Sequence, residues 1–213
     1  MSHGNTAAGH AALLRAAREE LAERGYTAAS IRSIAGRAGI STSVLYHYYP
    51  SKQQLLEAVI LQTIDAYLGS CRAGLAQAGE DPIARLSAAV AAMIRYRVSR
   101  PVRPSRPDPT ERRLSPGFRQ AYRKRAADAA SLLRAPIQAG IAARLFRPAY
   151  PEEARRAISA MCRMAADRYD PHGPLTLDQT VARYAELALA LLGYRADSDA
   201  GSARPPADLH NAC

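Results

Sequence analysis

Residues 30–52 read S-I-R-S-I-A-G-R-A-G-I-S-T-S-V-L-Y-H-Y-Y-P-S-K. The spacing predicts two short helices joined by a tight turn. Ser30 can cap the first, because its hydroxyl can accept from a free N–H of the first turn. Ile31, Ile34, Ala35 and Ala38 recur at helical spacing and make its apolar stripe. Gly39 follows, where a left-handed C-cap suits glycine, and Ile40 plugs the corner. Ser41 caps a second helix whose inward residues are Val44, Leu45 and Tyr48. Pro50 stops it, and Ser51 can cap the next. Helix, glycine turn and capped helix form a helix-turn-helix, whose second helix enters the DNA major groove. Thr42, Ser43, Tyr46 and His47 then lie off the buried face. Ser41, Thr42 and Ser43 sit at the N-terminal end of that helix, the end that contacts base edges, and Lys52 is placed to meet the DNA backbone. A helical hairpin with a merely solvated polar face would share some of this pattern. The agreement in register of glycine, cap, proline and lysine favours the DNA-reading helix.

The same residues carry a family resemblance. L-Y-H-Y-Y-P-S-K (Leu45 to Lys52) resembles the L-Y-x-[HY]-F-x-[SN]-K signature of TetR-family transcriptional regulators. R-x-I-A-x-x-A-G-I-S (Arg32 to Ser41) is similar to the same family, as is A-A-R-E-E-L-A-E-R-G-Y (Ala16 to Tyr26), which resembles its first helix. The resemblance implies that Arg32, Thr42, Ser43, Tyr46, Tyr48 and Lys52 occupy positions that touch DNA. There are two departures. Tyr49 stands where phenylalanine is usual, adding a hydroxyl that must find a partner or water. Thr42-Ser43 replaces a common Lys-Gly, removing one phosphate-seeking charge.

Composition bounds the rest. The 213 residues leave room for one large or two small domains. Abundant alanine, with few Phe, Val, Ile and Thr, favours helix. No apolar run reaches the ~18 residues of a membrane span, and the N-terminus lacks a secretory pattern, so a cytoplasmic location is expected, with no membrane partner. Cys71, Cys162 and Cys213 are far apart and give neither a disulfide framework nor a zinc spacing. The net charge of +10 is unevenly placed: residues 95–125 hold eleven Arg/Lys against Asp108 and Glu111. The excess therefore lies outside the helix-turn-helix, unlike a non-specific DNA clamp.

The expected architecture is all-α: a three-helix helix-turn-helix domain at 10–67, joined by a long helix to a helical ligand-binding and dimerisation domain at 68–195. Residues 1–9 and 196–213 read as disordered tails. The first helix places Leu13, Leu14, Ala17 and Leu21 inward, with Glu20 and Arg24 paired on the outside. The long helix runs from Ser51 to about Leu75 with Leu55, Leu56, Val59, Ile60, Thr63 and Tyr67 packed. Later helices are expected at Pro82 to Val98, Gly117 to Leu145 with a kink at Pro136, Pro151 to Tyr169, and from Thr176, capped by a Thr176/Gln179 box, to Tyr194. Between them, Arg100-Pro101, Arg103-Pro104 and Arg106-Pro107 repeat with the three-residue period of a polyproline II helix. That ladder suits a polyanion, although a solvated basic loop or an extra DNA contact would read the same way.

A second resemblance lies further on. Tyr169 with D-P-H-G-P-L-T (Asp170 to Thr176) is similar to the Y-x-P-x-G-P-L-[ST] segment of a TetR subgroup that senses acyl-CoA thioesters. A-R-L-F-R-P (Ala143 to Pro148) resembles that subgroup's G-x-F-R-P. Met164 and Arg168 stand where relatives often carry tryptophan, so the pocket differs; a stiff turn between two helices would also account for Pro-Gly-Pro. The expected effector contacts are Tyr96, Arg100, Arg103, Arg106, Tyr122, Met164, Arg168 and Tyr169. Tyr184, Leu187, Ala188 and Leu191 on the last helix are expected to face a second subunit.

No G-x-S-x-G, P-loop, H-E-x-x-H or C-x-x-C pattern occurs, so neither catalytic nor metal residues are expected, and no cofactor beyond a small-molecule effector. The reading is a homodimeric regulator, a repressor of a pseudo-palindromic double-stranded operator, released by an effector such as an acyl-CoA. A regulator of efflux sensing a hydrophobic drug-like ligand is the nearest alternative. An architectural DNA-binding protein without a ligand is the alternative of another class.

Overall fold

The computed structural model describes residues 3–99 and 115–195. These residues form helices and turns, with no strand among them. Three helices make a head: α1 (His3–Ala28), α2 (Ile31–Ala38) and α3 (Thr42–Tyr48). The long α4 (Lys52–Ala76) leaves it for a body of α5 (Pro82–Val98), α6 (Pro116–Ala142), α7 (Pro151–Arg168) and α8 (Leu177–Leu191).

Local chemistry sets most helix starts. The side chains of Ser30, Ser41, Ser51, Asp81, Ser115 and Thr176 each accept the backbone N–H three residues on, at 2.8–3.2 Å. Each satisfies a donor that the first turn would leave open, which is typically worth ~1 kcal/mol against alanine. Pro82, Pro116 and Pro151 open their helices where a missing N–H costs nothing. Gly39 takes φ 69° and ends α2, with the N–H of Ile40 bonded back to the Ala35 carbonyl at 3.0 Å.

Two apolar cores follow. Leu13, Leu14, Ala17, Ile34, Ala35, Leu45, Leu55 and Val59 close the head. Leu68, Cys71, Leu86, Val90, Ile94, Leu133, Ile158, Ala188 and Leu192 are among the residues that close the body. The changeover falls along α4 between Val59 and Leu68, so one rigid rod carries a share of each core. In the body α5 is central and packs against α4, α6, α7 and α8. Among the described residues no helix is long and apolar enough to cross a membrane.

Several expectations change. Helix α1 begins at His3, inside the stretch read as a disordered tail; Ala7 and Ala8 are strong helix formers there. Gly25 (φ 71°, ψ 172°) breaks its helical path near the expected end. Glu20 is not on the outside: it is 0% exposed. Besides Arg24 it faces Arg37 of α2, whose Nη2 is 3.2 Å from one Glu20 oxygen and 2.6 Å from Glu23. The expected inward Val44 is 43% exposed, because on so short a helix the turn toward Leu45, at 0%, leaves it a face of its own. Helix α6 ends at Ala142, short of the expected Leu145, and holds Pro136 buried along with Leu132, Leu133 and Ile137. Arg97 of α5 is exposed and lies over the Tyr67 ring at 5.8 Å.

Two sequence motifs of the body have packing roles. Phe146 is 1% exposed and lies against Gly140, where a Cβ would come within 2.1 Å of its ring. Arg147 N–H donates to the Leu192 carbonyl at 2.8 Å, pinning the loop to the end of α8. In the Pro-Gly turn the Asp170 carboxylate accepts the His172 N–H at 2.9 Å and its carbonyl accepts the Gly173 N–H at 3.0 Å, a side-chain turn that needs no ligand to hold it.

Candidate nucleic-acid interface

The surface of interest is built on α3. Leu45 is its one buried anchor, and burying such a side chain contributes about 1.5–3 kcal/mol. Around it Ser41, Thr42, Ser43, Tyr46 and His47 are exposed, with Tyr46 at 50%. They are brought together on one short helix, and exposed Arg32 on α2 belongs to the same head. Tyr48 is half-buried between this face and the head core. Val44 joins the exposed set. Sequence reading assigned it to the interior, and only the seven-residue length of α3 hinted otherwise.

Lys52 opens α4 beside the same face. It is half-buried, its Nζ donates to the Thr27 carbonyl at 3.4 Å, and burial pulls its pKa below that of a free lysine. Its charge is thus tethered next to the end of α1 rather than swinging free. The extra hydroxyl of Tyr49 finds a partner in α1: it lies 2.7 Å from Nε2 of His10. Burial pushes the Tyr49 phenol up, so the hydroxyl keeps its proton.

The family model described as bacterial regulatory proteins of the tetR family matches residues 13–59. A second model, the tetracyclin repressor-like C-terminal domain, matches residues 79–192, more than half of the chain. The chain belongs to the tetR family. Among similar curated tetR-type proteins, the transcriptional activator FasR of Mycolicibacterium smegmatis is 40% identical over 84 residues, 39% of this chain and 38% of FasR. The transcriptional repressor KstR2 of the same organism is 40% identical over 57 residues, 27% of this chain and 28% of KstR2. These matches span well under half of the relatives' own lengths. A tetR-family regulatory protein from Rhodococcus RHA1 superposes with a TM-score of 0.75 at 27% identity, over 88% of this chain and 98% of the other. The AibR complex with isovaleryl coenzyme A and operator DNA shares the fold, with a TM-score of 0.70 at 22% identity, over 88% of this chain and all of the other.

In the tetR-type body the expected effector residues are spread out. Tyr96 turns to α4: its hydroxyl donates to the Thr63 carbonyl at 3.2 Å and its ring meets Tyr67 edge-on at 5.3 Å. Tyr122 is 40% exposed against Phe118 of its own helix. Met164, 47% exposed, and Arg168 lie on the outer side of α7, opposite core-facing Ile158, Cys162 and Ala165, and Tyr169 is half-buried at its end. Met164 therefore does not line the interior of the subunit. Arg100, Arg103 and Arg106 lie outside the described residues. A cleft of about 170 Å³ between α6 and α7 is lined by Arg134, Ile137, Gln138, Pro151, Glu152 and Arg155, none of the expected set.

The last helix divides the expected dimer residues. Leu187 (51%) and Leu191 (43%) are exposed. Tyr184 is half-buried against the core. Ala188 is 0% exposed; it packs within its own subunit and is not a surface residue, because it lies about 100° around the helix from Leu187.

Sequence reading also missed a polar seam between α4 and α6. Buried Glu57 accepts from the Ser115 N–H at 2.8 Å, the Ser115 hydroxyl at 2.9 Å and Gln53 at 3.1 Å. Burial works to raise its pKa, but these bonds to Ser115 and Gln53 outweigh it, and the net shift is downward. Further along, Arg125 forks onto Asp65 at 2.7 and 2.8 Å, and Arg72 reaches Asp128 at 3.2 Å. A charged residue at an α4 position flanked by apolar ones was the available signal.

Proposed function

We propose that this chain is a dimeric, sequence-specific transcriptional regulator, a repressor that leaves its operator when a small molecule binds the body. The observation that carries this is the capped seven-residue α3, with Leu45 as its buried residue and Thr42, Ser43, Tyr46 and His47 offered outward, within the tetR family. Such a helix enters a major groove with its N-terminal residues at the base edges. Exposed Val44 supplies an apolar contact suited to a thymine methyl. Lys52 supplies a phosphate contact, and Arg32, Ser41 and Tyr48 complete the face.

Two copies pair through the outward side of α8, where Leu187 and Leu191 leave apolar surface uncovered, with Met164 on the outer side of α7 beside them in role. A two-fold pair of heads reads half-sites about one helical turn apart, roughly 34 Å, in a pseudo-palindromic duplex. The effector class proposed is an acyl-CoA thioester. Its support is the resemblance carried by residues 143–148 and 169–176, together with the arginine ladder at 100–106. AibR is known with isovaleryl coenzyme A and operator DNA, but its likeness carries the fold alone. The cytoplasm is the compartment that holds both DNA and acyl-CoA.

Selection of bound duplexes from a random library tests the reading directly. A recovered two-fold symmetric site, released by members of an acyl-CoA panel, is the expected result. Recovery of no preferred sequence would point to an architectural protein; release only by hydrophobic drug-like compounds would replace the effector class.

A further inference from the structure

We propose that His10 is a positioning residue for the DNA-reading helix, acting from α1 through the Tyr49 hydroxyl to set the orientation of α3. The proposal rests on the reading that α3 faces DNA. Helix α3 spans two turns and buries one side chain, Leu45. A single anchor fixes where a helix sits but leaves its rotation about its own axis weakly held, and that rotation decides which side chains meet the base edges. Half-buried Tyr48 adds partial packing against the head core; a further anchor lies outside the helix.

It comes from 39 residues upstream. The His10 Nε2 and Tyr49 hydroxyl are 2.7 Å apart, a short hydrogen bond in either tautomer: a bare Nε2 accepts from the phenol, and a protonated one donates to it. The two rings also stack, with centroids 5.7 Å apart and planes 21° from parallel. The same imidazole sits 5.4 Å from the Tyr48 ring, and Tyr48 in turn meets His47 edge-on at 6.0 Å. Contact therefore runs from α1 through half-buried Tyr48 to exposed His47. Tyr49 is the C-cap of α3: its backbone is extended and its N–H bonds to the Leu45 carbonyl at 2.9 Å. Holding this residue by its side chain holds the end of the helix whose buried anchor it is bonded to. Phenylalanine at 49 would keep the stacking and lose the bond, so the hydroxyl is what ties Tyr49 to His10.

Mutual tests separate positioning from general support. His10→Leu keeps an apolar body and cannot bond; Tyr49→Phe removes the hydroxyl alone; His10→Gln keeps a group that can bond the phenol. Affinity is measured for the selected operator and for an unrelated duplex, with thermal midpoint and dimer state recorded. His10→Leu and Tyr49→Phe should each weaken operator binding roughly tenfold, as expected for one neutral hydrogen bond broken in both subunits, with non-specific affinity unchanged. The double variant should be no weaker than either single, since one bond is lost in all three, and His10→Gln should recover most of the affinity. Operator affinities equal to wild type, additive losses, or an equal fall in operator and non-specific binding would each overturn the proposal. Tyr46→Ala separates the two readings. If it weakens operator binding while the His10 and Tyr49 variants do not, only the positioning role falls; if it has no effect either, the DNA-facing assignment of α3 falls.

Discussion

Lys52 and Tyr46 are proposed to make two different kinds of DNA contact. The Lys52 ammonium is tethered to Thr27 at 3.4 Å and already partly desolvated, so a phosphate would find it pre-placed. Lys52→Ala should weaken binding to all duplexes and reduce the slope of log affinity against log salt by about one. Tyr46, half exposed at 50%, should act differently. Tyr46→Ala should weaken operator binding and leave the slope nearly intact. Mobility shifts over a salt series measure both, and unchanged binding in both variants would remove this face from the DNA contact. The buried thiols make another residue-level forecast. Burial pushes Cys71 up to about 11 and Cys162 up to about 12, keeping both protonated at neutral pH. Because the thiolate is the nucleophile, neither should label with a maleimide at pH 7 until the body is unfolded. Mass mapping of native labelling would detect any departure.

Helix α8 carries core and surface on adjacent strips, and substitutions should sort accordingly. Leu187→Glu with Leu191→Glu should leave the fold intact and give monomers that no longer hold a full operator, because each head reads only a half-site. Sedimentation at micromolar concentration decides this; a monomeric wild type would end the dimer proposal. At the α6 end the contact of Gly140 with Phe146 leaves no room for a side chain. Gly140→Ala should cost about 1–3 kcal/mol, the usual penalty for overpacking, even though alanine is the better helix former. Denaturant unfolding would read the loss. A stability gain would mean that the Phe146 ring relocates freely.

Across the molecule, α4 shares both cores and is joined to α6 through Glu57, Asp65 and Arg72, the contacts through which the proposed effector response would reach the head. Glu57 is the seam's buried member. Its pKa is lowered on folding, so the stabilisation it brings is present above the ordinary carboxylate range and is lost as pH falls through the folded value. Glu57→Ala should blunt effector release while effector-free operator affinity holds, because the buried joint to α6 is cut while α3 is untouched. Titration of operator complexes with the effector found by selection measures this. Equal release by wild type and variant would show that Glu57 carries no coupling.

Apart from the start of α1, the helix starts, the glycine-ended α2 and the capped α3 were legible in the amino-acid order, because caps, prolines and apolar periodicity act within a few residues of where they stand. The tetR-type character of the head was legible through the resemblance carried by residues 16–52. Long-range polar partners could not. Glu20 looked like an outward i,i+4 partner of Arg24 until α2 brought Arg37 over it. Glu57 looked like one charge on a long helix until α6 set Ser115 against it. Ala188 and Leu187 are apolar neighbours, and only the rotation of α8 against α5 put the smaller one inside and the larger one out. The Tyr49 hydroxyl announced the need for a partner, but nothing near it in the chain named His10. A side chain's local preferences travel with the sequence; which group from a distant helix meets it depends on how the helices pack.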